Sequence, residues 1–363
     1  MVKDVAELIL LASRADVAQH ATRVADLAAA APSAELIAHL RRLRALPVLG
    51  ERIAAHAEFS AELRAAIEAD RRANALRGML SETSLRAVAA ALEEHGIPAL
   101  PLKGPTLAVE AHGAVDMRDS TDIDVLVPPE QLHAAAAVLG RLGFRTPGDG
   151  PELPPLHVVA VPGNEAWPAV ELHWRIHWYE DRFSRRLLET STVRADGLRH
   201  ADPVLSLMSL LVFYARDAFD GVRLLADIVA YADAHPHALR DGRFEEELAR
   251  APGLRRALSA SAIAVREHAG LPVPVLGGGR GVRERLAVAF ADPLALSSRN
   301  QRLAMTHLVD GLLSPPGGQR AFVSDRLLRY PSARENALHV ARTTGRWVGA
   351  APRLVRHSTA SVR

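Results

Sequence analysis

The sequence predicts an α+β fold in which a small α/β core lies between two helical regions. Residues 1–95 are rich in Ala, Leu and Arg, show helical periodicity and contain no strand-like run. Strand-like runs alternate with helical segments only between residues 96 and 200, and the pattern is helical again over 201–363. The predicted organisation is therefore an N-terminal helical region (1–95), an α/β core (96–200) and a C-terminal helical region (201–363).

The first boundary follows from local helix and strand signals. The segment SLRAVAAALEEHG has its apolar residues on one helical face, with Ser84 placed to cap its start and Gly96 to end it. The next segment, IPALPL (97–102), predicts a short strand at an edge or start, because its prolines lack the N–H that a central strand needs. A tight turn at Lys103-Gly104 then leads into the helix PTLAVEAHG.

Two longer strands and the start of the last region follow. TDIDVLV (121–127) is stopped by a Pro-Pro pair, and AVELHWRIHW (169–178) alternates along its full length. Asp202 is placed to cap the first C-terminal helix, and Pro203 suits that helix's first position. The arginine-rich tail after Gln319 is interpreted as a solvated helix face.

Composition excludes several classes of protein. The 363 residues carry 44 basic and 42 acidic side chains, so no global field favours DNA or an anionic membrane as a partner. The absence of cysteine excludes disulfides and thiolate metal sites. The first residues include Asp4 and Glu7 and do not resemble a signal peptide, and the longest apolar run, 204–215, is too short to cross a bilayer. We therefore expect a cytoplasmic protein without membrane or DNA partners.

Carboxylates interrupt both longer strands on a single face. Alternate residues of a strand share a face, so Asp122 and Asp124 point the same way, and Glu171 shares its face with His173. If the two strands are neighbours, three carboxylates converge and raise one another's pKa. A divalent cation would relieve that repulsion, and an all-oxygen ligand set favours Mg²⁺ or Mn²⁺.

The turn before the first helix of the core predicts a phosphate site. Lys103 is one of two lysines in a chain that otherwise uses arginine for positive charge. A strand, a Lys-Gly turn and a helix start present free backbone N–H groups to an anion, and Gly104 allows close approach of a phosphate. Arg118 could bind the same phosphates through two parallel hydrogen bonds. Metal ligands beside a phosphate site are what phosphoryl or nucleotidyl transfer needs.

These motifs together resemble a known family. The Lys-Gly turn, MRDSTDIDVLV and VELHW are similar to the uncharacterised nucleotidyltransferase family of bacteria, within the DNA polymerase β-like nucleotidyltransferase superfamily. The resemblance implies a minimal mixed sheet with helices, Asp122 and Asp124 as paired metal ligands, and Glu171 as the third carboxylate. It also implies transfer of a nucleoside monophosphate from an NTP to a hydroxyl acceptor with pyrophosphate release. Lys103-Gly104-Pro105 departs from the superfamily's usual Gly-Ser turn.

Other interpretations stay open at the level of sequence. Asp-x-Asp also occurs in sugar-nucleotide glycosyltransferases, and a degenerate core could bind a nucleotide or partner without turnover. His173 is a candidate substrate contact, although a histidine on a polar strand face is more often structural. Arg223 and Asp227, four residues apart, are most simply a helix-surface ion pair. The sequence does not identify the acceptor, which could be a small molecule, a peptide or a protein.

Overall fold

The computed structural model describes most of the chain up to residue 315. The described ranges are 2–146, 156–163, 167–178, 180–239, 242–274, 281–290 and 299–315, with residue 318 and short stretches between 332 and 341. Most of the arginine-rich tail after residue 319 thus lies outside the described residues.

Fourteen helices form most of the described chain. In order they are α1 (Val2–Ala12), α2 (Ala21–Ala29), α3 (Ser33–Arg42), α4 (Glu51–Ala54), α5 (Ala61–Glu94), α6 (Gly104–His112), α7 (Leu132–Arg141), α8 (Arg182–Glu189), α9 (Pro203–Arg216), α10 (Val222–Ala234), α11 (Arg243–Arg250), α12 (Arg255–Ala269), α13 (Val282–Ala289) and α14 (Arg299–Leu313). None of the described helices is both long and apolar enough to cross a membrane.

The predicted helix SLRAVAAALEEHG is the end of a much longer helix. α5 runs for 34 residues and begins at Ala61, where the Ser60 side chain accepts a hydrogen bond from Leu63 N at 3.2 Å. The prediction that Ser84 caps the helix is therefore wrong, and this residue is buried inside α5. No proline interrupts the segment, so the helix continues through it. Gly96, with a φ of 69°, follows the helix end as predicted.

Five strands form a mixed sheet in the core, as the α+β prediction requires. They are β1 (Leu100–Pro101), β2 (Asp122–Leu126), β3 (Phe144–Arg145), β4 (His157–Pro162) and β5 (Ala169–His173), and a separate hairpin pairs β6 (Thr192–Val193) with β7 (Arg199–His200). The spatial order is β1-β2-β5-β4-β3. Only β2 and β5 run parallel, and the other neighbours are antiparallel.

β5 is shorter than the alternating pattern predicted. The strand ends at His173, whereas the sequence pattern extends to residue 178. His173 is level with Leu126, the last residue of β2, and with His157, the first residue of β4. Within the described residues, Trp174 N still donates to Leu156 O at 3.1 Å, and Ile176 N then donates to Ser184 Oγ at 3.0 Å. Alternation alone cannot show where a strand loses its partners.

The apolar core is divided between two clusters. One combines residues from α1–α5 with residues from α9–α14, so the two helical regions pack against each other. The second lies under the sheet, where the end of α5 and one face of α7 cover β2 and β5. α9, capped by Asp202 through a 3.0 Å hydrogen bond from Val204 N, is buried on nearly every side. The division of the chain into three domains stays a prediction.

Candidate active site

The parallel pairing of β2 and β5 brings the predicted carboxylates together. Asp124 is level with Glu171 in the sheet, and Asp122 lies two residues earlier on the same strand face. The opposite face carries Ile123 and Val170, which are buried in the cluster under the sheet. The apolar side of the two strands therefore fixes the register, and the register places three acidic side chains on one surface.

Asp124 is the most buried of the three carboxylates and is held by two partners. It is 3% exposed. Lys103 Nζ lies 3.2 Å and His173 Nε2 lies 3.1 Å from its Oδ1 atom. Burial by itself would raise the pKa of Asp124, but the positive charge of Lys103 and the hydrogen bond from His173 outweigh it and lower that pKa. Asp124 is thus an ionised group whose charge is already compensated.

Asp122 has the opposite electrostatic environment. Its pKa is raised, mainly by burial and next by the neighbouring charge of Asp124, with a further contribution from Glu171. Lys103 and Arg118 offset this only in part. This is the like-charge repulsion that the strand pattern predicted, and it is the environment that a divalent cation would relieve.

Within the part of the chain that the structure describes, Glu171 contacts histidines rather than lysine or arginine. Its Oε2 atom lies 3.3 Å from His173 Nε2 and 3.7 Å from Nε2 of His157, at the start of β4. Burial would raise the pKa of Glu171, but the hydrogen bond from His173 outweighs it and lowers that pKa. Burial and the adjacent His173 lower the pKa of His157 to about 4. His157 was not predicted, because only the pairing of β4 with β5 brings it here.

His173 lies in the site but offers no surface to a substrate. Its side chain is 0% exposed, and its Nε2 atom faces both Asp124 and Glu171. This burial does not support the expectation that His173 contacts the substrate. The position of His173 is suited to holding two carboxylates in place.

The Lys-Gly turn has the conformation that its sequence predicted. Gly104 has a φ of 69°, which disfavours any residue with a Cβ, and α6 begins there and ends before Gly113. Lys103 Nζ lies 4.1 Å from the centre of the Phe213 ring, while Arg216 lies 4.5 Å from the same ring. In this structure the lysine points to Asp124 rather than out of the turn.

Arg118 takes part in a buried network that the sequence did not predict. Its Nε donates to Asp227 Oδ2 at 2.9 Å, and a terminal nitrogen donates to Ser120 Oγ at 2.6 Å. His112 Nε2 lies 2.9 Å from the other oxygen of Asp227. Burial would raise the pKa of Asp227, but Arg118 and His112 outweigh it and lower that pKa to about 2.

The predicted surface pair of Arg223 with Asp227 is therefore wrong. Asp227 is 1% exposed and contacts Arg118, while Arg223 donates to the main-chain oxygen of Asp119 at 2.7 Å. The spacing of four residues suited a pair on one helix, but the packing of α10 against α6 turns Asp227 into the interior.

Asp227→Asn is expected to lower the free energy of unfolding by about 3 kcal/mol, because it leaves Arg118 charged and buried without a charged partner. The matched control is Asp70→Asn, which removes a surface ion pair with Arg41 and should cost less than about 1 kcal/mol. Urea unfolding of both variants measures the difference. Equal stability losses would show that the buried network adds nothing beyond a surface pair.

A cleft opens over the carboxylate face. Its volume is about 630 Å³, which is within the range that holds a small-molecule ligand. Asp122, Asp124 and Glu171 line it from the sheet. Its basic lining residues come from separate parts of the chain: Arg42, Arg44, Lys103, Arg118, Arg216 and Arg223. The arrangement can hold a cation on the sheet and an anion along the basic walls.

Two arginines of the cleft were missed as site residues. Arg44 Nε donates to Asp119 Oδ2 at 2.6 Å, and its φ of 55° is unusual for a residue with a side chain. Arg223 is largely buried, and burial together with the nearby charges of Arg118 and Arg44 lowers its pKa to about 10. No local motif marks either residue, because they reach the cleft only through helix packing.

Comparison with known proteins gives one family match. The family model described as "Uncharacterised nucleotidyltransferase" matches residues 30–270. No curated protein matches the chain. Among solved structures, that of the antibiotic-resistance factor ANT(2'')-Ia in solution is 18% identical, with a TM-score of 0.33, and the match covers 47% of this chain and 89% of that one. This structural likeness is too distant to support an inference about the site.

Proposed function

Since the chain belongs to the uncharacterised nucleotidyltransferase family, we propose that it transfers a nucleoside monophosphate from an NTP to a hydroxyl acceptor, with pyrophosphate leaving. The observation that carries this proposal is the pairing of Asp124 with Glu171 across parallel strands, with Asp122 on the same face. The three carboxylates line the same cleft as the Lys-Gly turn residue Lys103. That combination suits a reaction that depends on positioning and charge neutralisation.

We assign a divalent ion to the carboxylate face of the sheet. Asp122, Asp124 and Glu171 would hold Mg²⁺ or Mn²⁺, and burial together with the charge of Asp124 raises the pKa of Asp122, which a bound cation would lower. When bound, the ion would neutralise phosphate charge and lower the pKa of the acceptor hydroxyl. Lys103 at present supplies part of that compensation through its contact with Asp124. His173 holds Asp124 and Glu171 in fixed orientations, so it acts as a positioning residue.

The NTP phosphates are assigned to the basic side of the cleft. Lys103 lines the cleft at the start of α6, where a helix N-terminus favours an anion, while Gly104 is buried and is not among the lining residues. Arg118 lines the cleft but is ion-paired with Asp227. It therefore contributes a fixed positive charge and does not move to bind a phosphate. Arg223, whose hydrogen bond goes to a neutral carbonyl, keeps its charge available to a phosphate.

The test is a screen for transfer. The protein is incubated with each of the four NTPs, Mg²⁺ or Mn²⁺, and candidate acceptors, and the products are read by mass. A mass increase of one nucleoside monophosphate, with pyrophosphate formed, supports the proposal. Transfer of a sugar from a nucleotide sugar would replace it with the glycosyltransferase alternative, and tight NTP binding without turnover would indicate a non-catalytic module.

Lys103→Ala is expected to weaken NTP binding about tenfold, or about 1.4 kcal/mol, because it removes a point charge beside the phosphate site. Lys103→Arg should recover the affinity only in part, since a planar fork does not reproduce the ammonium group. The other lysine gives the control, because Lys3 is exposed on α1 and Lys3→Ala should bind NTP like the parent. Calorimetry with Mg²⁺ measures all four proteins, and unchanged affinity in Lys103→Ala would exclude this residue from the site.

A further inference from the structure

Two histidines and a glutamate meet on the cleft side of the sheet. His157 and His173 are level with each other in the antiparallel pair β4–β5, and their ring centres are 4.7 Å apart. Three ligand atoms lie within 4.8 Å of one another: one ring nitrogen from each histidine and one carboxylate oxygen of Glu171. We propose that His157, Glu171 and His173 form a binding site for a divalent transition metal ion of the zinc type.

The distances suit a metal ion without a large rearrangement. In a tetrahedral site with ligand bonds of about 2.1 Å, neighbouring ligand atoms are about 3.4 Å apart. Glu171 Oε2 lies 3.3 Å from His173 Nε2 and 3.7 Å from His157 Nε2. An ion bound to His173 Nε2 would replace the contacts of that atom with the two carboxylates.

The donor set predicts which ions bind. Magnesium prefers oxygen ligands, whereas imidazole nitrogen suits zinc and other transition ions. Two imidazoles with one carboxylate is a donor set of known catalytic zinc sites. The site therefore differs in selectivity from the three carboxylates, from which it borrows only Glu171.

The charge of Glu171 is available to such an ion. Asp124 is held by Lys103, but among the described residues no lysine or arginine lies within 4.0 Å of the Glu171 carboxylate. The side chains of His157 and Glu171 are 27% and 24% exposed, and both line the cleft. An ion can therefore reach the site from solvent.

The inference does not depend on the proposed transfer, because metal binding requires neither NTP nor acceptor. The experiment is a calorimetric titration of the chelator-treated full chain with ZnCl₂, in the absence of nucleotide. The parent should bind one equivalent, and His157→Gln should bind at least about tenfold more weakly, since it removes one ligand. MgCl₂ and MnCl₂, whose ions prefer oxygen ligands, should bind His157→Gln and the parent alike.

Two control variants separate this site from other places where zinc could bind. His133→Gln changes an exposed histidine on α7 and should leave the zinc affinity unchanged. Asp122→Asn alters the three-carboxylate site alone and should also leave it unchanged. If zinc binds His157→Gln as tightly as the parent, or if Asp122→Asn abolishes zinc binding, the proposed site is wrong.

A separate measurement covers the case in which His157→Gln does not fold, as judged by its thermal unfolding in chelator. Co²⁺ bound to the parent in a tetrahedral nitrogen and oxygen site should show intense visible absorption, and an octahedral oxygen site should show only a weak band. The weak band would overturn the inference. If the protein binds zinc as described but fails every transfer assay, the proposed function is wrong and the metal-site inference still holds.

Discussion

Asp122→Asn is expected to lower nucleotidyl transfer by about a thousandfold or more, which corresponds to about 4 kcal/mol of transition-state stabilisation. The same change should leave the free energy of unfolding at neutral pH unchanged or higher. The reason is that burial and the charges of Asp124 and Glu171 raise the pKa of Asp122 in the folded state. Ionised Asp122 therefore opposes folding, and a neutral amide of the same shape does not.

The pH dependence has a definite sign. A raised folded-state pKa gives a contribution to stability that is present below the unfolded pKa and is lost as pH rises through the folded pKa. The parent should therefore lose this contribution on going from acid to neutral pH, and Asp122→Asn should not. Urea unfolding at several pH values, compared with the exposed variant Asp26→Asn, measures the difference. Full activity in Asp122→Asn would remove Asp122 from the reaction.

Asp124→Asn should also abolish transfer, but with the opposite effect on stability. Its carboxylate compensates Lys103 and accepts from His173, and its pKa is lowered, so the ionised form stabilises the fold. That stabilisation is present above the unfolded pKa and is lost as pH falls through the folded pKa. At neutral pH the variant should be less stable than both the parent and Asp122→Asn. If both variants changed the free energy of unfolding in the same direction, the proposed electrostatic difference between Asp122 and Asp124 would be wrong.

Glu171→Gln is expected to reduce turnover by about a hundredfold or more, while NTP binding with Mg²⁺ changes little. Glutamine keeps the size of the side chain and still accepts the hydrogen bond from His173, but it lacks the negative charge that would help hold the ion and so lower the pKa of the acceptor hydroxyl. Lys103→Ala should show the reverse pattern, with weaker binding. Glu130→Gln, at an exposed ion pair with Arg185, is the control.

Steady-state kinetics and calorimetry on the same preparations separate the two effects. If the Glu171→Gln enzyme keeps its turnover but binds NTP poorly, the role of Glu171 is in NTP binding. A variant that loses both functions together with its thermal stability would indicate a structural role instead.

Short-range patterns in the sequence predicted much of the candidate site. Alternation within β2 placed Asp122 and Asp124 on one face, because successive side chains of a strand point to opposite sides whatever surrounds them. The Lys-Gly turn was also predictable, because the positive φ of Gly104 suits a residue without a Cβ. The cap at Asp202 is equally local, since its hydrogen bond reaches only two residues along the chain.

Contacts between distant segments decided the rest. β5 ends at His173 because its neighbours end and begin there, although its alternation continues. Arg118 binds Asp227, 109 residues away, rather than a nearer acid, and His157 joins Glu171 only because β4 pairs with β5. The sequence determined which side chains share a strand face and where the turns fall, since both depend on local backbone geometry. The partners of the buried charges depended on the tertiary structure. Burying a charge is unfavourable unless a group of opposite charge compensates it, and only the packing decides which such group lies close enough.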